Sequence, residues 1–157
     1  MRRFALPVLL IVLSPLRADA QAESDTAYSM RVSPAIGIHY GAPLRLSIAA
    51  GGLFDMPGKR NDGVIAMAEQ GQGGTELSLG YFVRRRFGQG FSLRLAGLRT
   101  REDAWNASER TSYLGGELHW MVLAGVGGRI GWLRRVSGHS GENLDDNVLS
   151  FGVGIGD

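Results

Sequence analysis

The stretch VLSFGVGIGD, residues 148–157, alternates between two kinds of residue. Leu149, Phe151, Val153 and Ile155 fall on one side of an extended chain, and Ser150, Gly152, Gly154 and Gly156 on the other. Successive side chains of a strand point to opposite faces, so the segment reads as a strand with one greasy face and one nearly bare face. Two questions follow from it: which solvent meets the greasy face, and what occupies the space behind the glycines.

The same period of two recurs upstream. Residues 28–40 place Tyr28, Met30, Val32, Ile36, Ile38 and Tyr40 opposite Ser29, Arg31, Ser33, Gly37 and His39. Residues 44–54 open with Leu44, Leu46, Ile48 and Ala50 against Arg45, Ser47 and Gly51. Residues 63–70 are the weakest run, and 75–85 set Leu77, Leu79, Tyr81 and Val83 against Glu76, Ser78 and Gly80. Then come 91–100 (Phe91, Leu93, Leu95 against Ser92, Arg94), 113–122 (Leu114, Leu118, Trp120, Val122 against Glu117, His119) and 125–136 (Val126, Ile130, Trp132 against Arg129). Turn-rich breaks separate them, of which REDAWNASER (101–110) and SGHSGENLDD (137–146) are the longest. Helical periodicity is absent. The expected fold is all-β: one antiparallel up-and-down barrel of eight strands, of the transmembrane type.

The N-terminus reads differently. MRRFALPVLLIVLSPLRADAQA (1–22) carries Arg2 and Arg3, an apolar run from Phe4 to Leu13, and a close on small residues at Ala18, Ala20 and Ala22. That is the build of a secretory signal peptide, and its apolar run is too short to span a bilayer. The expected division is a signal peptide at 1–22 and a barrel domain at 23–157. Removing Arg2, Arg3, Arg17 and Asp19 takes 17 basic and 15 acidic residues to 14 of each. A neutral mature chain, with no basic run interleaved with aromatics, gives no reason to expect a nucleic-acid partner. No cysteine is present, so no disulfide framework is available.

The charges point to a membrane. Arg31, Arg45, Glu76, Arg94, Glu117, His119 and Arg129 sit between greasy positions, within the strands more often than at their ends. In an outer-membrane barrel the apolar side meets lipid and the polar side turns inward, with aromatics gathered toward strand ends. Tyr28, Tyr40, Phe54, Phe91, Tyr113, Trp120 and Trp132 read as such aromatics. Eight strands leave an interior just wide enough for side chains to fill. The seven charged or titratable residues are therefore expected to form a paired polar core with no open pore, since unpaired buried charge is costly.

The stretches GAPLRLSIAAGG, GGTELSLGY, YLGGELHWMVLAGVGGRIGWLRRVSG and FGVGIG, together with the signal peptide, resemble small, uncharacterised bacterial outer-membrane β-barrel proteins. The resemblance covers most of the mature chain, is one of pattern, and includes no catalytic motif. It implies an integral outer-membrane protein inserted by the barrel assembly machinery, in contact with outer-membrane lipid and lipopolysaccharide. Such barrels commonly end on an aromatic residue, whereas this chain ends on Asp157. Either the assembly signal is degenerate or the sequence stops just short of its natural end.

Chemistry-bearing motifs are few. His39, His119 and His139 fall on separate elements without metal-ligand spacing, so no metal site is expected. GVGG and GVGIG lack the dinucleotide fingerprint, and no cofactor is expected. The catalytic alternative is a lipid A-modifying hydrolase or acyltransferase of the same fold, using His139, Ser140 and Glu142 of the last loop. A serine nucleophile needs a base within hydrogen-bond reach and an orienting acid. His139 and Ser140 are adjacent, and on a strand they would face opposite ways. A third alternative is a soluble periplasmic, lipocalin-like barrel with the faces reversed. The reading that leads is a structural or surface-interacting outer-membrane barrel acting through the loops at 101–110 and 137–146.

Overall fold

Alternating residues become strands because a pleated chain can then give one face to each of two environments. The computed structural model describes residues 31–56, 61–85, 88–123, 125–138 and 146–156. The segment read as a signal peptide and the start of the first expected strand lie outside these residues. So do His139, Ser140 and Glu142.

Eight strands follow in chain order: β1 (Val32–Ala42), β2 (Arg45–Asp55), β3 (Asp62–Gly71), β4 (Gly74–Arg84), β5 (Gly90–Thr100), β6 (Ser112–Leu123), β7 (Val126–Ser137) and β8 (Asn147–Gly156). Each pairs antiparallel with the next, and β8 returns to β1 through pairs from Gly37 with Gly156 to Ala42 with Phe151. The barrel is closed, all-β and up-and-down, so no sheet edge is left unpaired. Closure of this kind requires stagger. From Ile38 the pairings run through Ile48, Gln70, Thr75, Arg99 and Ser112 to Ser137, already beyond the part of β7 that pairs with β8.

The weak third run is a full strand. Its inward residues Ile65, Met67 and Glu69 are buried, while its outward side carries Asp62, Val64, Ala66, Ala68 and Gln70. Small outward side chains made the alternation faint.

The connections β1–β2, β3–β4, β5–β6 and β7–β8 gather at one end, here the loop end. The start of β1 and the end of β8 share the other, here the termini end. The loop end is folded over. Residues 101–111 lie across it: Arg101 N donates to Gly73 O, Trp105 N to Pro43 O, and Asn106 Nδ2 to Leu149 O. Beneath them Leu44, Ala96, Leu98, Tyr113, Leu133 and Val148 pack into an apolar cluster, joined by Ala107.

The two faces differ as the alternation requires, but with the greasy face outside. Among the described residues twenty-five large apolar or aromatic side chains are exposed, including Ile36, Leu79, Leu93, Ile130, Trp132 and Val153. Thirteen hydrophobic residues are buried, four of them alanines. The interior instead buries His39, Glu69, Glu76, Arg94, Glu117, His119 and Arg129.

Two sequence expectations are corrected here. Leu44 belongs to the interior cluster and not to the outer face: Arg45 takes a left-handed φ of 64°, and the alternation restarts after it. Tyr113 is not an outer aromatic but is wholly buried, its hydroxyl accepting from Ser108 N at 2.9 Å.

Candidate functional site: a charged layer inside the barrel

The site begins with a like-charge problem. Glu69 on β3 and Glu76 on β4 are direct cross-strand partners, and both point inward. Like charges directly opposite one another are destabilising. The solution comes from the far wall. Arg129 on β7, four strands round the circle from β3, reaches across the lumen and donates from Nη1 to Glu69 Oε2 at 2.7 Å. The same nitrogen lies 3.8 Å from Glu76 Oε1. Arg129 is only 3% exposed, so its charge is held by these partners and not by bulk water.

The layer extends from there. Glu69 Oε2 is 3.2 Å from His39 Nδ1, and Glu69 Oε1 accepts from Ser47 Oγ at 2.5 Å. Glu117 on β6 stands beside Glu76, and its Oε2 is 3.0 Å from His119 Nε2. Arg94 on β5 donates from Nε to Ser92 Oγ at 2.9 Å. Three carboxylates, two guanidiniums and two imidazoles thus form one buried layer of mixed sign, the arrangement that makes buried charge tolerable.

The bare glycine face gives this layer its room. A Cβ on Gly154 would lie 2.1 Å from Cδ2 of His39, and one on Gly131 would lie 2.5 Å from Cγ of Glu117. At Gly131 and Gly154 side chains of neighbouring strands fill the space a Cβ would take, whereas at Gly127, Gly152 and Gly156 the neighbouring backbone itself lies close.

A cavity opens from the layer toward the termini end. Leu53, Ile65 and Phe82 form one wall, Gly127, Gly152, Gly154 and Gly156 the other, and His39, Arg94, His119 and Arg129 the floor. Its volume is about 40 Å³, room for a few waters and not for a drug-sized ligand. Arg84 stands at its mouth, paired with Asp55 at 2.6 Å and lying 4.9 Å from the centre of the Phe82 ring.

Of the seven residues expected in the polar core, Glu76, Arg94, Glu117, His119 and Arg129 lie in this layer. Arg31 and Arg45 do not. Arg31 precedes β1 and is exposed, its carbonyl accepting from Asp55 N. Arg45 is half-buried at the loop-end rim, 3.9 Å from Asp103 and 5.3 Å from the ring centre of Trp105. Glu69 and His39 complete the layer and were not among the expected set. His39 falls on the polar face of its strand by alternation alone. Glu69 sits in the faint third run. Among the described residues no group of three or more acidic or histidine side chains is arranged to hold a metal ion.

No family model, no curated protein and no solved structure matches this chain.

Proposed function

We propose that the protein is an exported, integral outer-membrane β-barrel with a closed polar core, serving a structural or surface-interacting role and not forming an open pore. One observation carries the reading: the exposed apolar belt encircles a charged interior. A water-soluble protein seldom exposes a continuous apolar surface beyond a few hundred Å², whereas lipid demands one. Strands of 10 to 12 residues, rising about 3.4 Å per residue and tilted by about 45°, span a height of about 25 Å. Six of the seven exposed aromatics among the described residues suit two interfaces, with Tyr81, Phe91 and Trp120 toward the termini end and Tyr40, Trp105 and Trp132 toward the loop end, while Phe151 lies mid-strand on β8. The apolar cluster and the folded loop at 101–111 support a closed lumen. A soluble ligand-binding barrel would need its apolar faces inside, where the charged layer lies.

In this reading the chain is released through its N-terminal signal, inserted by the barrel assembly machinery, and surrounded by outer-membrane lipid and lipopolysaccharide. The test is envelope fractionation combined with gel mobility of boiled against unboiled samples. An outer-membrane protein whose mobility shifts on boiling supports the reading. A soluble protein with no shift would falsify it.

A further inference from the structure

The outer wall of the barrel is not uniformly greasy. On β5 the outward positions Leu93, Leu95 and Gly97 lead to Arg99, and on β6 Gly116 interrupts Leu114 and Leu118. Gly97 lies opposite Leu114, and Gly116 opposite Leu95 and Trp132, so the two bare positions are diagonal neighbours on adjoining strands. Most inward glycines here crowd other atoms, but a Cβ on either Gly97 or Gly116 would meet nothing closer than 3.9 Å. The result is a furrow walled by Leu77 and Leu114, then by Leu95 and Trp132.

Cations stand at its loop end. Arg99 is exposed, and its Nη1 donates to Ser112 Oγ at 2.9 Å, which steadies the guanidinium above Gly97. Arg134 points outward on β7 beside Leu114. It lines an open groove with Leu114, Trp132, Asp146 and Asn147. The acid of that groove is committed elsewhere, since Asp146 pairs with Arg135. Asn147 accepts from Trp132 Nε1 at 3.1 Å and holds the indole as a wall. Among the described residues the outward-facing strand cations are these two, both at the loop end, while the outward-facing strand acid, Asp62, lies at the other.

We infer that this face of β5–β7 is a binding site for a phosphorylated glycolipid of the membrane leaflet on the loop side, with an acyl chain in the Gly97–Gly116 furrow and phosphates on Arg99 and Arg134. Guanidinium groups pair with phosphate through two parallel hydrogen bonds. The two arginines rise from strands two apart, about 10 Å at the usual strand spacing, which fits a headgroup bearing two phosphates better than one bearing a single phosphate. The inference rests on the membrane reading above.

The experiment is native mass spectrometry of the full chain folded in detergent micelles, titrated separately with bisphosphorylated lipid A, its monophosphoryl form and phosphatidylcholine. Bisphosphorylated lipid A is expected to bind about tenfold tighter than phosphatidylcholine, with the monophosphoryl form between them. Arg99→Gln with Arg134→Gln removes the preference, and Gly116→Leu weakens all three lipids alike. Heat-modifiability of each sample reports folding. A heat-shifted wild type with no preference among the lipids, or a doubly substituted protein that keeps it, overturns the site and leaves the membrane reading standing. Failure of the membrane reading itself appears instead as wild-type protein in the soluble fraction.

Discussion

Replacing Arg129 by leucine leaves Glu69, Glu76 and Glu117 together inside the barrel without the cation that bridges them. Breaking a buried ion pair from one side costs about 3–5 kcal/mol. The Arg129→Leu protein is therefore expected to unfold at lower urea in micelles, and Glu69→Gln in the same background to recover part of the loss. Gly154→Val drives a side chain into the His39 ring and is expected to cost about 1–3 kcal/mol by overpacking, read from the same urea midpoints. At this scale the sequence was informative at Arg94, whose neighbours Leu93 and Leu95 both face out and leave it facing in. It misled at Arg45, which stands between Leu44 and Leu46 and reads as a core residue, because the left-handed turn that carries it to the rim leaves no trace in an alternation pattern.

A strand is the unit on which the solvent of the outer face can be tested. Leu79 lies mid-strand on β4, 57% exposed, with Leu95 as its partner on β5. Leu79→Arg should cost about 2–4 kcal/mol if the face meets the bilayer midplane, and within about 0.5 kcal/mol if it meets water. Urea unfolding in lipid vesicles distinguishes the two, and a near-neutral substitution there would count against a lipid-facing wall. All eight strands were legible from period-two alternation, even β3, whose outward alanines weaken the signal. Tyr113 obeys the same rule. It shares parity with Glu117 and His119 and so faces inward with them, although its place near a strand end suggests an interfacial aromatic.

For the whole molecule, orientation is the property that the fold constrains most. The four loop-end connections lie opposite both strand termini, and outer-membrane barrels keep their longer loops outside. The 157-residue sequence contains no cysteine, which suits labelling. A cysteine in place of Asp103, whose side chain is 72% exposed, is expected to react with an impermeant maleimide on intact cells. One in place of Asn61, exposed at the opposite end, should react only after permeabilisation; the reverse pattern would invert the barrel in the membrane. Closure and strand order were legible because antiparallel neighbours joined by short turns leave few alternatives. The long-range pairing inside was not, since no local pattern says that residue 129 meets residue 69. That pairing also ties barrel completion to chemistry. The opposed carboxylates of Glu69 and Glu76 reside in the first four strands, whereas the guanidinium that bridges them arrives only with the seventh. A chain that ends before β7 lacks the guanidinium that reaches both carboxylates, so the ion pairing of the layer is complete only when the seventh strand is in place.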